Sequence, residues 1–122
     1  MESEDSLLVR LGGVDTVNSA IDIFYSKVLA DERINAFFLN TDMSKQKDKL
    51  KIFLSYSFSD PTNYSAKNIR KAHSSIDLKD ADFETFTEHL IYSLEELNVP
   101  GNLIDEVIAF TLNVKKDVIN ND

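Results

Sequence analysis

The chain contains no cysteine, and a block of chemistry drops out with it: disulfides, thiolate zinc sites, iron–sulfur clusters and cysteine nucleophiles. The absence suits a reducing compartment, and the expectation is a cytoplasmic protein. Glycine and proline are scarce, three and two residues in 122, and no glycine-rich phosphate loop is present. Long apolar runs are missing as well. None approaches the roughly 20 residues that a membrane-spanning helix needs. The acidic start, Met1 to Ser6, is the reverse of a secretion signal, which runs from basic to apolar. No membrane association is expected. Positive charge is in deficit: 21 acidic against 13 basic residues leave a net charge of −8. A nucleic-acid partner is therefore not expected, because collecting phosphates takes a basic face. The local basic clusters at 45–51 and 67–71 read as solvated helix faces. No serine has the flanking glycines of a nucleophile elbow, and no His–Glu pair has zinc spacing.

What remains is a chain with 43% hydrophobic residues, enough for a core at this size. It is expected to form one domain over residues 1–122, with 1–6 as a flexible acidic tail and no appended reductase or signalling domain. The apolar residues are spaced for helices. After Leu11-Gly12-Gly13 they recur at Val14, Val17, Ile21, Phe24, Tyr25 and Val28, steps of three and four that make one helical stripe. A turn at 30–33 leads to the cluster Ile34, Phe37, Phe38 and Leu39. Asn40-Thr41-Asp42 supplies a side-chain oxygen to cap the next helix, whose stripe is Met43, Gln46, Leu50, Phe53, Leu54, Ser57 and Phe58. The loop 60–65 precedes a short helix predicted to carry Ile69, His73 and Ile76 on one face. Phe83, Phe86, Leu90, Leu94 and Leu97 mark a longer helix ending at Asn98-Val99-Pro100-Gly101. Leu103, Val107, Thr111 (or Phe110), Val114 and Val118 mark the last. The prediction is an all-α globule.

Polar residues on an apolar stripe are informative, because burying one without a partner is costly. His73 lies between Ile69 and Ile76, Gln46 between Met43 and Leu50, and Tyr25 beside Ile21 and Val28. Each has two readings. His73 is a hydrogen-bonded core residue or a metal ligand; Tyr25 is core with its hydroxyl at the rim, or a donor into a site; Gln46 marks the edge of a buried face, or faces a ligand. His89, on the flank of its stripe, reads as solvated or structural. A solitary imidazole beside an all-helical core suits haem, a large apolar disc held by one axial nitrogen.

The ordered set Leu11-Gly12-Gly13, Phe24-Tyr25, Phe37-Phe38, Asp42-Met43, Gln46, Phe53-Leu54, Ala72-His73, Phe83 and Val99-Pro100 resembles the group I (N-type) truncated haemoglobins from about residue 8 to 120. The resemblance implies a shortened globin fold, a two-over-two helical sandwich around a b-type haem. It implies that His73 is the proximal iron ligand and that Tyr25 and Gln46 are the distal pair. Phe38 matches the phenylalanine that packs on the haem at the first interhelical corner. Leu50, Phe53, Ile69, Phe83 and Phe86 would line the apolar wall, with Tyr64 and Lys67 near the haem propionates. Lys49 occupies a position where some relatives carry a residue that binds iron; the alternative is a surface lysine with its head in water. Where some relatives bond haem covalently through a histidine, this chain has Val114, so a non-covalent haem is expected.

The sequence also departs from the family pattern. A Gly-Gly pair usual in the loop before the proximal helix is replaced by Ser59-Asp60, and a third glycine by Ala66, which predicts a different path there. Leu50 replaces a second distal glutamine and makes that side drier. The expected function is reversible binding of O2, with NO and CO as further small ligands, for transport or storage. An alternative is nitric oxide dioxygenation supported by a separate reductase. A third is a haem-free descendant that kept the fold as an interaction module.

Overall fold

The computed structural model describes residues 5–74 and 76–119, so 1–4 of the predicted tail at 1–6 lie outside the described residues. Six helices and two short 3-10 turns account for the fold, with no strand among the described residues: α1 (Leu7–Leu11), α2 (Val14–Leu29), α3 (Met43–Ser59), α4 (Ala66–His73), α5 (Asp80–Glu96) and α6 (Gly101–Val118). The first was not expected from the pattern. Ser6, assigned above to the tail, caps it by accepting from the Val9 amide at 3.2 Å.

Local chemistry sets the boundaries. Between α1 and α2 the backbone turns through positive φ at Gly12 (116°) and Gly13 (88°). A β-carbon on Gly12 would lie 2.3 Å from Thr16 Oγ1, so this corner requires glycine. Asp42 caps α3 through the Lys45 amide, and Ser65 caps α4 through the Asn68 amide, each at 3.2 Å. At the end of α5, Asn98 takes the left-handed conformation (φ 61°). The amides of Asn98 and Val99 then reach back to the carbonyls of Glu95 and Leu94. Pro100 follows and opens α6.

The helices form a two-over-two sandwich. α2 packs on α3 and α5 on α6, with α2 against α5 as the main cross-layer contact; α4 rests on α6. Ile21, Val28, Ile34 and Val107 are completely or almost completely enclosed at the centre. The predicted stripe of α2 is buried at Val17, Ile21, Phe24, Tyr25 and Val28; Val14 is exposed. On α6, Leu103, Val107, Val114 and Val118 are buried, while Phe110 and Thr111 are half-buried. Polar links staple the layers at their rims: Arg10 grips Glu106 with two bonds of 2.6 and 2.8 Å, and Lys27 pairs with Glu96.

Candidate functional site

The first wall of the site comes from α2 and α3. Tyr25 is 2% exposed, its ring edge-on to Phe24 at 4.9 Å and to Phe38 at 5.7 Å. Gln46 on α3 donates from Nε2 to the Tyr25 hydroxyl oxygen at 3.1 Å. Burial pushes the phenol's pKa up and the Gln46 bond opposes that push, with burial the larger effect. Tyr25 therefore stays protonated at neutral pH, and because its oxygen accepts from Gln46, its own hydrogen is left to give. Met43, Leu50 and Phe53 share the Gln46 stripe, are half-buried and pack beside this wall. Lys49, one residue from Leu50, is exposed.

The second wall is built on α4, which buries none of its residues fully. His73 ends this helix, half-buried, with Nδ1 2.8 Å from the Ile69 carbonyl. A carbonyl only accepts, so in the neutral ring Nδ1 carries the hydrogen and Nε2 carries the lone pair. That tautomer is the one a metal-binding histidine needs. Ile69, Ile76 and Phe83 pack, half-buried, against a small cluster of Leu78, Val114, Val118 and Ile119. Phe37, Phe53, Phe86 and Phe110 pack against both this cluster and the main core, so they join the two walls.

Several expectations need correction or detail. The short helix stops at His73, not beyond Ile76. Ile76 lies in the irregular link to α5, where its amide bonds back to the His73 carbonyl at 3.1 Å. Of the two readings of His89, solvated or structural, the structural one holds. Its Nε2 lies 2.7 Å from Asp31 Oδ2, both side chains nearly enclosed, so it ties α5 to the turn after α2. Bonds from Arg33 and His89 hold the Asp31 carboxyl well below the usual range. The replaced glycines demand no unusual backbone. Asp60 is extended (φ −158°), accepts from the Thr62 amide at 2.9 Å, and Ala66 simply begins α4. Tyr64, suggested for a propionate, commits its hydroxyl to Asp117 on α6 at 2.6 Å. Lys67 is exposed in the first turn of α4. Phe37, Ile76, Leu78, Phe110 and Asp117 were missing from the predicted site. Phe37 and Phe110 could have been found, one as the neighbour of Phe38 and the other as one of two alternatives on the α6 stripe.

The residues present fit a haem. Around the two walls the large apolar side chains, several of them aromatic, are only partly buried. Each Å² of apolar surface left in water forgoes about 25 cal/mol, and a flat apolar group seated among them would recover that. Polar groups suited to iron and its ligand stand on the walls: an imidazole with its lone pair at Nε2 on one, a buried hydroxyl with a hydrogen to give on the other.

Comparison with known proteins points the same way. A family model described as bacterial-like globin matches residues 6–120. The group 1 truncated haemoglobin of Tetrahymena pyriformis is 34% identical over 119 residues, 98% of each chain. Its crystal structure in the Fe(III) form matches with a TM-score of 0.86 at 34% identity, covering 96% of this chain and 100% of that one. The 2/2 haemoglobin of a Synechococcus species, solved in the cyanomet state with covalently attached haem, gives 0.85 at 42% identity over 95% and 99%.

Proposed function

The chain belongs to the bacterial-like globin family, and from that premise we propose that it binds O2 reversibly at a b-type haem held by His73, with Tyr25 retaining the ligand. Haem-based binding of small ligands comes with the family; the ligand and the residues are our reading. We treat residues 1–122 as one truncated-globin domain. When bound, haem supplies an iron with one coordination position open to a diatomic molecule.

The observation that carries the proposal is the Gln46–Tyr25 bond. Gln46 fixes the phenol by donating to it, which turns the Tyr25 hydrogen outward as a donor. A polar diatomic ligand such as O2 would accept that hydrogen bond from Tyr25, whereas CO, nearly apolar, would gain less. NO and CO enter the same position as competitors. Leu50 keeps one side of the pocket without a polar group, so Tyr25 acts in drier surroundings, where a hydrogen bond is stronger. His73 is oriented by the Ile69 carbonyl, and Phe38, Phe53, Ile69, Phe83 and Phe86 supply apolar contact. Lys49 keeps its exposed head in water and leaves the open position to external ligands. Haem stays non-covalent: Val114 is a buried valine with no nucleophile, and of the two histidines one is assigned to iron while His89 is engaged by Asp31.

The test is the O2 dissociation rate, by stopped flow, of the wild type and Tyr25→Phe. Loss of a hydrogen bond to a charged acceptor should speed release about ten- to a hundredfold, with a smaller change in CO release. An unchanged O2 rate would remove Tyr25 from the mechanism.

A further inference from the structure

The helix that carries His73 is attached to the rest of the protein in an unusual way. It buries no side chain fully, Ile69 being its main apolar contact, so packing alone defines its place weakly. What it has instead is a carboxylate. Asp117, near the end of α6, is only 5% exposed, yet it is charged; Lys115 and Lys116 precede it, and Val114, Val118 and Ile119 on the same helix end are buried. A buried carboxylate needs partners. The two side chains that donate to it come from the α4 region. Tyr64, just ahead of α4, donates to Oδ2 at 2.6 Å, and Arg70, in the middle of α4, donates to Oδ1 at 2.8 Å. The Tyr64 ring is in turn lodged between Phe53 and Phe110, each at about 6.0 Å. His73 stands one helical turn beyond Arg70, so a clamp on Arg70 and Tyr64 limits how α4 can slide or rotate against α6.

We propose that Asp117 is a positioning residue for His73: its carboxylate pins α4 to α6 through Tyr64 and Arg70 and thereby sets how firmly the imidazole is presented to the haem iron. The inference rests on the haem reading above. Asp117 does not touch the cofactor in this account; it acts through α4. It also gives Tyr64 a purpose other than a propionate contact, since a hydroxyl donated to a buried carboxylate at 2.6 Å is already spent.

The experiment compares the wild type with Asp117→Asn, with Tyr64→Phe as a milder variant that removes only one of the two bonds. Glu106→Gln is the control, because it weakens the α1–α6 ion pair without touching α4. Two quantities are read: the rate of haem transfer from the loaded protein to excess apomyoglobin, and the iron–histidine stretching band of the ferrous form by resonance Raman. Asp117→Asn should release haem about tenfold faster, the scale of one lost charged hydrogen bond, and should shift or broaden the band. Tyr64→Phe should do the same to a smaller extent, and Glu106→Gln should do neither. Wild-type values in Asp117→Asn, or equal acceleration in Glu106→Gln, would overturn the proposal. Hydrogen exchange of the α4 amides (67–73) in the full chain without haem separates the two layers of inference. Faster α4 exchange in Asp117→Asn with α2 unchanged supports the clamp even if no haem is taken up, an outcome that would count against the haem reading alone; unchanged α4 exchange removes the clamp.

Discussion

The α2–α5 centre and the α4 side of this molecule are built on opposite principles. At the centre, Ile21 and Val28 are wholly enclosed, Val107 nearly so, and helix meets helix through apolar contact. Around α4, no residue of the helix is fully buried, the aromatic side chains are only partly buried, and the main polar anchor is one carboxylate. A region that buries its own apolar surface is complete without help. One that leaves such surface open is completed by what it binds. Full burial is concentrated in the α2–α5 half, while the α4 side holds its apolar residues only partly buried, and the haem that a globin carries would complete that side.

The contrast breaks most visibly under a pair of substitutions. Ile21→Ala, in the enclosed centre, should cost roughly 2–5 kcal/mol in urea unfolding with or without haem. His73→Ala should leave unfolding of the haem-free chain near the wild type. It should weaken haem retention by more than about a hundredfold, since even outer partners of a metal ligand cost ten- to a hundredfold. If His73→Ala unfolds the haem-free chain as Ile21→Ala does, the two regions are not distinct.

Acid should act next in size. Hydrogen bonds hold the carboxyls of Asp31, Asp60, Glu106 and Asp117 below their ordinary range, the partners being Arg33 and His89, Thr62, Arg10, and Tyr64 with Arg70. A carboxyl whose pKa is lowered by folding stabilises the fold above its unfolded value, near pH 4, and that contribution is lost as pH falls through the folded value. Melting temperature should thus be flat from about pH 7 to 5 and drop below about pH 4. Two of these groups, Asp60 and Asp117, flank α4, so its amides should lose exchange protection before those of α2. A melting temperature that rises on acidification, as relief of the net charge of −8 would produce, contradicts this. The smallest effect is expected from Lys49→Ala. An exposed lysine should leave the ferrous spectrum and haem affinity within error of the wild type, and a change in the ferrous bands would mean that its amine reaches the iron.

Much of the fold was legible because helical stripes record burial directly. Val17, Ile21, Phe24, Tyr25 and Val28 were readable from steps of three and four, and Asp42 announced its cap. The end of α4 was not. Ile76 keeps the helical spacing, but the helix stops at His73, and spacing alone does not show where backbone bonds give way to a turn. Of the candidate site, the polar interruptions at Tyr25, Gln46 and His73 stood out because they broke an apolar pattern. Asp117 broke no pattern that could be read. A charge near a helix end normally signals solvent, and its partners Tyr64 and Arg70 lie 53 and 47 residues away. His89 was half-legible for the same reason, its partner Asp31 being 58 residues distant. Local periodicity reports burial; it does not report who meets whom across the fold.

The central claim is that this chain holds haem through His73 and offers an open position guarded by Tyr25. Absorption spectra of the purified protein titrated with haem, in the ferric, ferrous and ferrous-CO forms, test it most directly. The account predicts a one-to-one complex whose ferrous form is five-coordinate and takes up O2 and CO, and which His73→Ala abolishes. Failure to form any stable haem complex would contradict it and leave a haem-free interaction module as the better description of the fold.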